Sequence, residues 1–236
     1  FNNSLTTTRE LFPEQLDKLD FFISELKKAG IYSNINLNVG RTYRKDDGVP
    51  EYDKLGFGKW ATIFDDRLVF LQKEYARQLL THVNPYTGNA YIHEPAVAVI
   101  EILNENSLVE GWFGGKLTGN ATRGNSSTWD PSPPYYCREL SQKYNGLLRE
   151  NISQAELGKI CREAGVGEGE EVPRLSPEGF KDASPLRFHT EASFIMETER
   201  NFFLDMYKYL KGELGAQSLI IASSDHNHYR SGYPFL

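Results

Sequence analysis

Apolar residues that recur every three or four positions predict a series of amphipathic helices along the chain. In the first helix, Leu16 and Ile23 share one face, and Gly30 follows as a C-terminal stop. Asp65 or Asp66 precedes the second helix and can cap it. The predicted helices span about 13–29, 66–82, 135–150, 153–164 and 190–214.

Three segments predict β-strands, at 31–39, 96–103 and 218–224. The second of these, AVAVIEIL, is almost continuously apolar, which is typical of a strand buried on both faces of a parallel sheet. Because helices and strands alternate, we expect an α/β fold with parallel strands. We expect a loop over 106–135 and a polar, Gly/Pro/Glu-rich surface insertion over about 165–187 of a single domain.

Composition and charge narrow the class of protein. The chain has 236 residues, of which 26 are basic and 32 acidic, so its formal net charge is −6. This charge has the wrong sign for a protein that binds phosphate backbones, and we expect no nucleic-acid partner. No apolar run reaches the roughly 20 residues that cross a bilayer, so we expect no membrane span. Cys137 and Cys161 form no C-x-x-C motif, which supports neither a disulfide framework nor a zinc finger.

The most informative local feature is Asn104-Glu105-Asn106, which follows the apolar strand directly. In parallel α/β folds, catalytic residues collect at the carboxyl ends of strands. A carboxylic acid at such an edge can donate a proton, and a neighbouring amide can hold a substrate hydroxyl. The other interpretation of this tripeptide is an ordinary polar loop start.

Three segments in order carry a resemblance to a known family. Residues 94–108 (EPAVAVIEILNENSL) resemble the fourth-strand segment of retaining glycoside hydrolases built on a (β/α)₈ barrel. Residues 19–41 resemble the helix and third strand of cellulase-like enzymes of glycoside hydrolase family 5, and residues 72–88 resemble the helix that joins those two strands. The resemblance implies that residues 1–236 are part of one (β/α)₈ catalytic domain, covering about strands three to five.

The resemblance also implies an activity and roles for residues. The implied activity is hydrolysis of a glycosidic bond with retention of configuration and without a cofactor, and a β-linkage is favoured. Glu105 matches the general acid/base, and Asn104 matches the asparagine that binds the sugar 2-hydroxyl. Asn38 occupies a position where the family often has a histidine. The implied partner is a carbohydrate, and a secreted or periplasmic location is favoured.

Further residues are candidates for binding the substrate beside Asn104 and Glu105. Arg41 lies close to Asn38 in sequence, and Asn106 directly follows Glu105. Trp112, like Trp129, lies in the predicted loop after Glu105, where an indole either stacks on a sugar or anchors the loop. His226 and His228 follow the third strand and would line the sugar cleft. The candidate substrate-binding residues are thus Asn38, Arg41, Asn104, Asn106, Trp112, His226 and His228.

A retaining glycosidase needs a second carboxylate as nucleophile, about 5 Å from the first. The glutamates after Glu105 mostly fall within predicted helices, so we expect the nucleophile outside this chain. The remainder of the barrel would then come from a longer chain or from another subunit. We expect Glu101, which shares strand parity with Glu105, to be a buried structural carboxylate.

Two other classes of function fit the sequence. His226 and His228 form a His-x-His pair, which some metal-dependent barrel hydrolases use to hold a divalent cation. Alternatively, the chain is a non-catalytic carbohydrate-binding or assembly protein, which would explain a missing nucleophile.

Overall fold

The computed structural model describes residues 6–120, 131–167 and 169–223. Within these residues the chain forms eight α-helices and three short β-strands. The helices are α1 (Pro13–Lys28), α2 (Tyr52–Leu55), α3 (Lys59–Thr62), α4 (Asp66–Leu80), α5 (Leu108–Phe113), α6 (Pro134–Asn151), α7 (Gln154–Ala164) and α8 (Pro185–Lys208). The strands are β1 (Ser33–Asn36), β2 (Val97–Glu101) and β3 (Leu219–Ile221).

The three strands form one parallel sheet in the order β1-β2-β3. Ile100 of the central strand lies opposite Ile35 on one side and Ile220 on the other. Helix α4 connects β1 to β2, and helices α5 to α8 lie between β2 and β3 in the chain. The parallel direction brings the carboxyl ends of all three strands to the same edge of the sheet.

The long helices begin where the sequence supplies a start signal. Pro13 occupies the first turn of α1. The Asp65 carboxylate accepts a hydrogen bond of 2.8 Å from the Leu68 amide and caps α4. Ser153 and Glu156 form a capping box at the start of α7. The helices predicted over 13–29, 66–82, 135–150 and 153–164 are therefore confirmed, and α8 begins five residues before its predicted start.

The core is continuous from the sheet into the surrounding helices. Ile100 and Leu103 of the central strand and its exit are fully buried, as are Leu68 and Leu71 on α4. Residues 165–184 contain no α-helix or strand among their described positions and have one short turn at Pro177–Gly179, whereas 185–187 of the predicted insertion form the start of α8. No helix in the described ranges combines the length and apolarity needed to cross a bilayer.

The prediction of a (β/α)₈ barrel segment is wrong. The described chain is mostly helical, and its small parallel sheet is open, with β1 and β3 as edge strands. A barrel requires every strand to pair on both sides around a closed ring. Alternating helix and strand patterns report the presence of these elements but carry no information on closure, so the sequence supports an α/β fold and nothing finer.

The predicted loop over 106–135 contains helix α5. Its start has a local signal, because Ser107 and Glu110 match the S-x-x-E capping pattern and the Ser107 hydroxyl accepts a hydrogen bond of 3.3 Å from the Glu110 amide. A remote contact adds to it, since the Glu199 carboxylate on α8 accepts hydrogen bonds from the Ser107 hydroxyl and from the Leu108 and Val109 amides. The prediction of a loop overlooked the local signal.

Candidate functional site

The carboxyl edge of the sheet gathers the chain segments that follow the three strands. Backbone pairing continues beyond the strands, because the Leu37 amide donates to the Glu101 carbonyl at 2.8 Å and the Leu103 amide donates to the Ala222 carbonyl at 3.1 Å. Residues near 38, 104–106 and 223 therefore meet at this edge.

Asn104 is held at this edge by three separate hydrogen bonds. Its amide donates to the Asn38 carbonyl at 3.0 Å, and its side-chain oxygen accepts from the Asn36 amide group at 3.0 Å. Its carbonyl accepts from the Lys59 ammonium at 2.9 Å. The backbone position directly before Glu105 is thus fixed from β1 and from α3.

Glu105 adopts an unusual backbone conformation, with φ = 44°. The left-handed region costs a non-glycine residue about 1 kcal/mol or more and persists only where the surroundings impose it. The next residue is also held, since the Asn106 amide donates to the Ser223 hydroxyl at 3.3 Å. The Glu105 side chain is exposed at the carboxyl end of the central strand. The fold therefore presents this carboxylate in a defined place.

Two buried charged groups lie beneath Glu105. Glu101 is 3 % exposed and accepts a hydrogen bond of 3.3 Å from the Asn34 side chain, which confirms the prediction that it is buried. Lys59 is 4 % exposed. Burial lowers the pKa of the Lys59 ammonium, while the charges of Glu105 and then Glu101 act to raise it. The edge thus holds one cation near two carboxylates.

The two other asparagines of the predicted site are both buried. Asn106 is 1 % exposed. Neither the oxygen nor the nitrogen of its side-chain amide has a hydrogen-bond partner among the described residues. Asn38 is 5 % exposed, and its side chain donates to Gln72 on α4 at 3.0 Å. Gln72 in turn donates to the Ile102 carbonyl at 2.7 Å. Asn38 therefore supports the exit of the central strand.

Arg41 and Trp112 lie in structural networks. The buried Arg41 guanidinium donates to the Thr8 hydroxyl at 2.9 Å and to the Leu71 carbonyl at 3.0 Å, so it ties the N-terminal segment to α4. Trp112 is 2 % exposed, and its indole donates to the Glu191 carboxylate at 3.0 Å. An indole this buried anchors α5 and has no open ring face for a sugar.

The remaining candidates, Trp129, His226 and His228, lie outside the described residues. Within the described ranges, no group of three or more His, Cys, Asp or Glu side chains could hold a metal ion.

Sequence reasoning missed three residues of this edge: Asn36, Lys59 and Ser223. Asn36 had a usable signal, because asparagines alternate with apolar residues through β1 and predict a polar face of the sheet. Lys59 had none, since the carbonyl that it binds lies 45 positions later in the chain.

No known protein-family model matches the chain, and no curated protein matches it.

Proposed function

We propose that this chain contributes the general acid/base of a glycoside hydrolase that acts with retention of configuration. Glu105 is the acid/base, and Asn104 is the neighbouring amide that binds the sugar 2-hydroxyl. The proposal rests on the resemblance of residues 19–41, 72–88 and 94–108 to that family, together with the geometry at the carboxyl edge of the sheet.

One observation carries the proposal. Glu105 is an exposed carboxylate in a left-handed backbone conformation at the end of the central strand, and the residues on both sides of it are held by hydrogen bonds. Glu51 has a similar φ of 47° at the start of α2, so the strain at Glu105 supports a site only together with its place at the carboxyl end of the central strand. Backbone strain of this kind concentrates at functional sites, where it aims a side chain at a ligand.

The chemistry assigned to Glu105 has two steps. First, the Glu105 carboxylic acid gives its proton to the glycosidic oxygen while a second carboxylate attacks the anomeric carbon, so the leaving group departs as an alcohol. Then the Glu105 carboxylate takes a proton from water, and the resulting hydroxide displaces the second carboxylate from the sugar. Glu105 ends protonated, ready for the next cycle.

The second carboxylate is assigned to a residue outside this chain, on a longer chain or on another subunit. Glu101, which precedes Glu105 by four residues, is 3 % exposed and has no open face for a sugar. It serves instead as a buried charge beneath the site.

The proposal is tested by Glu105→Gln in the complete protein or assembly that supplies the second carboxylate, assayed on phenyl and 2,4-dinitrophenyl β-glycosides of glucose, mannose, xylose and cellobiose. Phenol is a poor leaving group and needs a proton, so we expect kcat/KM for the phenyl substrates to fall by about 10²- to 10⁴-fold. Dinitrophenolate departs without a proton, so the first step on that substrate should slow much less. Steady-state and burst kinetics measure both effects.

Glu10→Gln is the matched control, because it removes the same charge at an exposed position of the N-terminal segment. It should leave both rates unchanged. Wild-type kinetics in Glu105→Gln would contradict the proposal. So would sugar binding without turnover in the wild-type protein, which would favour a carbohydrate-binding protein, or hydrolysis that a chelator abolishes.

A further inference from the structure

Lys59 differs from the other lysines of the described chain, which are all half-buried or exposed. Its side chain is 4 % exposed and donates a hydrogen bond of 2.9 Å to the Asn104 carbonyl. A buried ammonium loses its hydration, which costs several kcal/mol unless other groups replace the water. A single carbonyl does not offset that loss, so nearby negative charge must contribute.

The negative charge comes from Glu105 and Glu101, whose carboxylates both act on the Lys59 ammonium. Glu101 is buried with Lys59, whereas Glu105 is exposed above it. The Lys59 ammonium therefore interacts electrostatically with one buried carboxylate and with the exposed carboxylate to which we assign proton transfer.

The hydrogen bond from Lys59 also completes the set of contacts that hold the backbone at Glu105. The Asn104 amide binds the Asn38 carbonyl, and the Asn106 amide binds the Ser223 hydroxyl. The carbonyl of Asn104 belongs to the peptide unit that enters Glu105, and Lys59 is its hydrogen-bond donor. Rotation of that peptide out of the left-handed turn would break this bond.

Lys59 is itself held in place by its neighbour in α3. A Cβ atom added at Gly111 of α5 would lie only 2.8 Å from the Trp60 ring, so Trp60 sits directly against the helix that follows Glu105. Trp60 is 5 % exposed. Trp60 of α3, directly next to Lys59 in the chain, thus packs against Gly111 of α5.

We propose that Lys59 is a positioning residue for Glu105: it fixes the peptide that carries Glu105 and keeps a positive charge beside its carboxylate. This inference rests on the proposed function of Glu105. When Glu105 has given its proton to the leaving oxygen, the ammonium stabilises the carboxylate that remains. No bond to Lys59 forms or breaks, and Lys59 keeps its own proton throughout.

The first test is Lys59→Met, assayed for hydrolysis of phenyl and 2,4-dinitrophenyl β-glycosides. A displaced Glu105 donates its proton less well, so kcat/KM for the phenyl substrates should fall by about tenfold or more, whereas the rate on the dinitrophenyl substrates, which need no proton, should change much less. Lys54→Met is the matched control, because Lys54 pairs with Glu51 at the surface, and both rates should stay unchanged. No loss, or an equal loss on both kinds of substrate, in a folded Lys59→Met protein would overturn the inference.

The second test needs no activity and leaves Lys59 intact. NMR follows the titration of the Lys59 side chain in the wild type, in Glu105→Gln and in Glu10→Gln. Removing the Glu105 charge should move the Lys59 titration to lower pH, and the Glu10 change should not. If the shift is seen but the wild type hydrolyses no glycoside, the coupling stands and the proposed function fails. If hydrolysis depends on Glu105 but no shift is seen, the inference fails.

Discussion

At the scale of single residues, Glu105 combines a carboxyl group with an unusual backbone conformation. With φ = 44°, it lies in a region that glycine adopts without strain and that other residues adopt at a cost. The hydrogen bonds of Asn104 and Asn106 impose this conformation from both sides. The left-handed conformation of Glu105 therefore lowers the stability of the fold while it fixes the place of one carboxylate.

This strain predicts that a glycine variant is more stable than an alanine variant at position 105, the reverse of the usual order. Both Glu105→Gly and Glu105→Ala remove the carboxylate, but only glycine tolerates a positive φ freely. We expect the free energy of unfolding of Glu105→Gly to exceed that of Glu105→Ala by about 1 kcal/mol, as measured by urea denaturation. Equal stabilities, or a more stable alanine variant, would show that the left-handed turn stores no strain.

Sequence reasoning reached the residues that are adjacent in the chain and missed those that converge from afar. Asn104, Glu105 and Asn106 were predicted because they follow an apolar strand directly. Lys59 was not, because neither its burial nor its bond to the Asn104 carbonyl leaves a pattern in its neighbourhood. The sequence likewise suggested a site role for Trp112, whose burial is set by packing between distant elements.

At the scale of elements, the long helices were predicted and the short ones were not. Helices α1, α4, α6 and α7 have an apolar face and start signals within their own sequence. Helices α2, α3 and α5 have only four to six residues, too few to be stable alone. They form because partners elsewhere hold their ends, as Glu199 does for α5.

The contact between α3 and α5 predicts opposite effects for two helical glycines. Gly111→Ala places a methyl group 2.8 Å from the Trp60 ring, and we expect it to cost about 1–3 kcal/mol. Gly146→Ala lies in α6 with nothing within 4 Å of the added atom, and we expect a gain of about 0.5–1 kcal/mol from helix propensity. Urea denaturation of both variants checks the pair. A harmless Gly111→Ala would contradict the close packing of Trp60 against α5.

At the scale of the whole molecule, two sets of carboxyl groups have opposite effects on stability. Burial, together with hydrogen bonding and charge from Asp65, raises the pKa of Glu139 to about 7, and burial raises the pKa of Glu191 to about 7. For Asp47 and Glu94, burial is outweighed by hydrogen bonds, which lower the pKa. Asp47 and Glu94 therefore stabilise the fold when they are ionised, whereas Glu139 and Glu191 stabilise it when they are protonated.

The directions of these pKa shifts determine how the free energy of unfolding depends on pH. Glu139 and Glu191 bind protons more tightly in the folded state, so their contribution is complete below the ordinary value of 4.5 and is lost as pH rises to about 7. Asp47 and Glu94 lose their contribution as pH falls below their ordinary values of 3.8 and 4.5. We therefore expect the free energy of unfolding to be greatest near about pH 5.

Urea denaturation from pH 3 to pH 8.5 measures this profile. Glu139→Gln should reduce the loss between pH 5 and pH 8 by about 1 kcal/mol, because the raised pKa no longer contributes and solvent screens part of its effect. Glu10→Gln, which changes an exposed carboxylate, should leave the loss unchanged. A wild-type maximum at pH 7.5 or above would refute the assignment of Glu139 and Glu191 as protonated buried acids.

The open sheet is the feature of the whole molecule that the sequence did not predict. The order of helices and strands was correct, and their parallel direction followed from it. Closure depends instead on which strands lie beside β1 and β3, and a pattern of apolar residues within each strand does not encode its neighbours.

The central claim is that Glu105 transfers a proton, and chemical rescue tests this role directly. In Glu105→Ala, a 2,4-dinitrophenyl β-glycoside still forms the glycosyl intermediate, but no base activates water. Azide needs no base and attacks the anomeric carbon in place of water. We predict that azide restores turnover by roughly tenfold or more and yields a glycosyl azide with the anomeric configuration of the substrate. The assignment would be contradicted if Glu105→Ala turned over at the wild-type rate without azide. It would also be contradicted if the variant formed no glycosyl azide when azide is present.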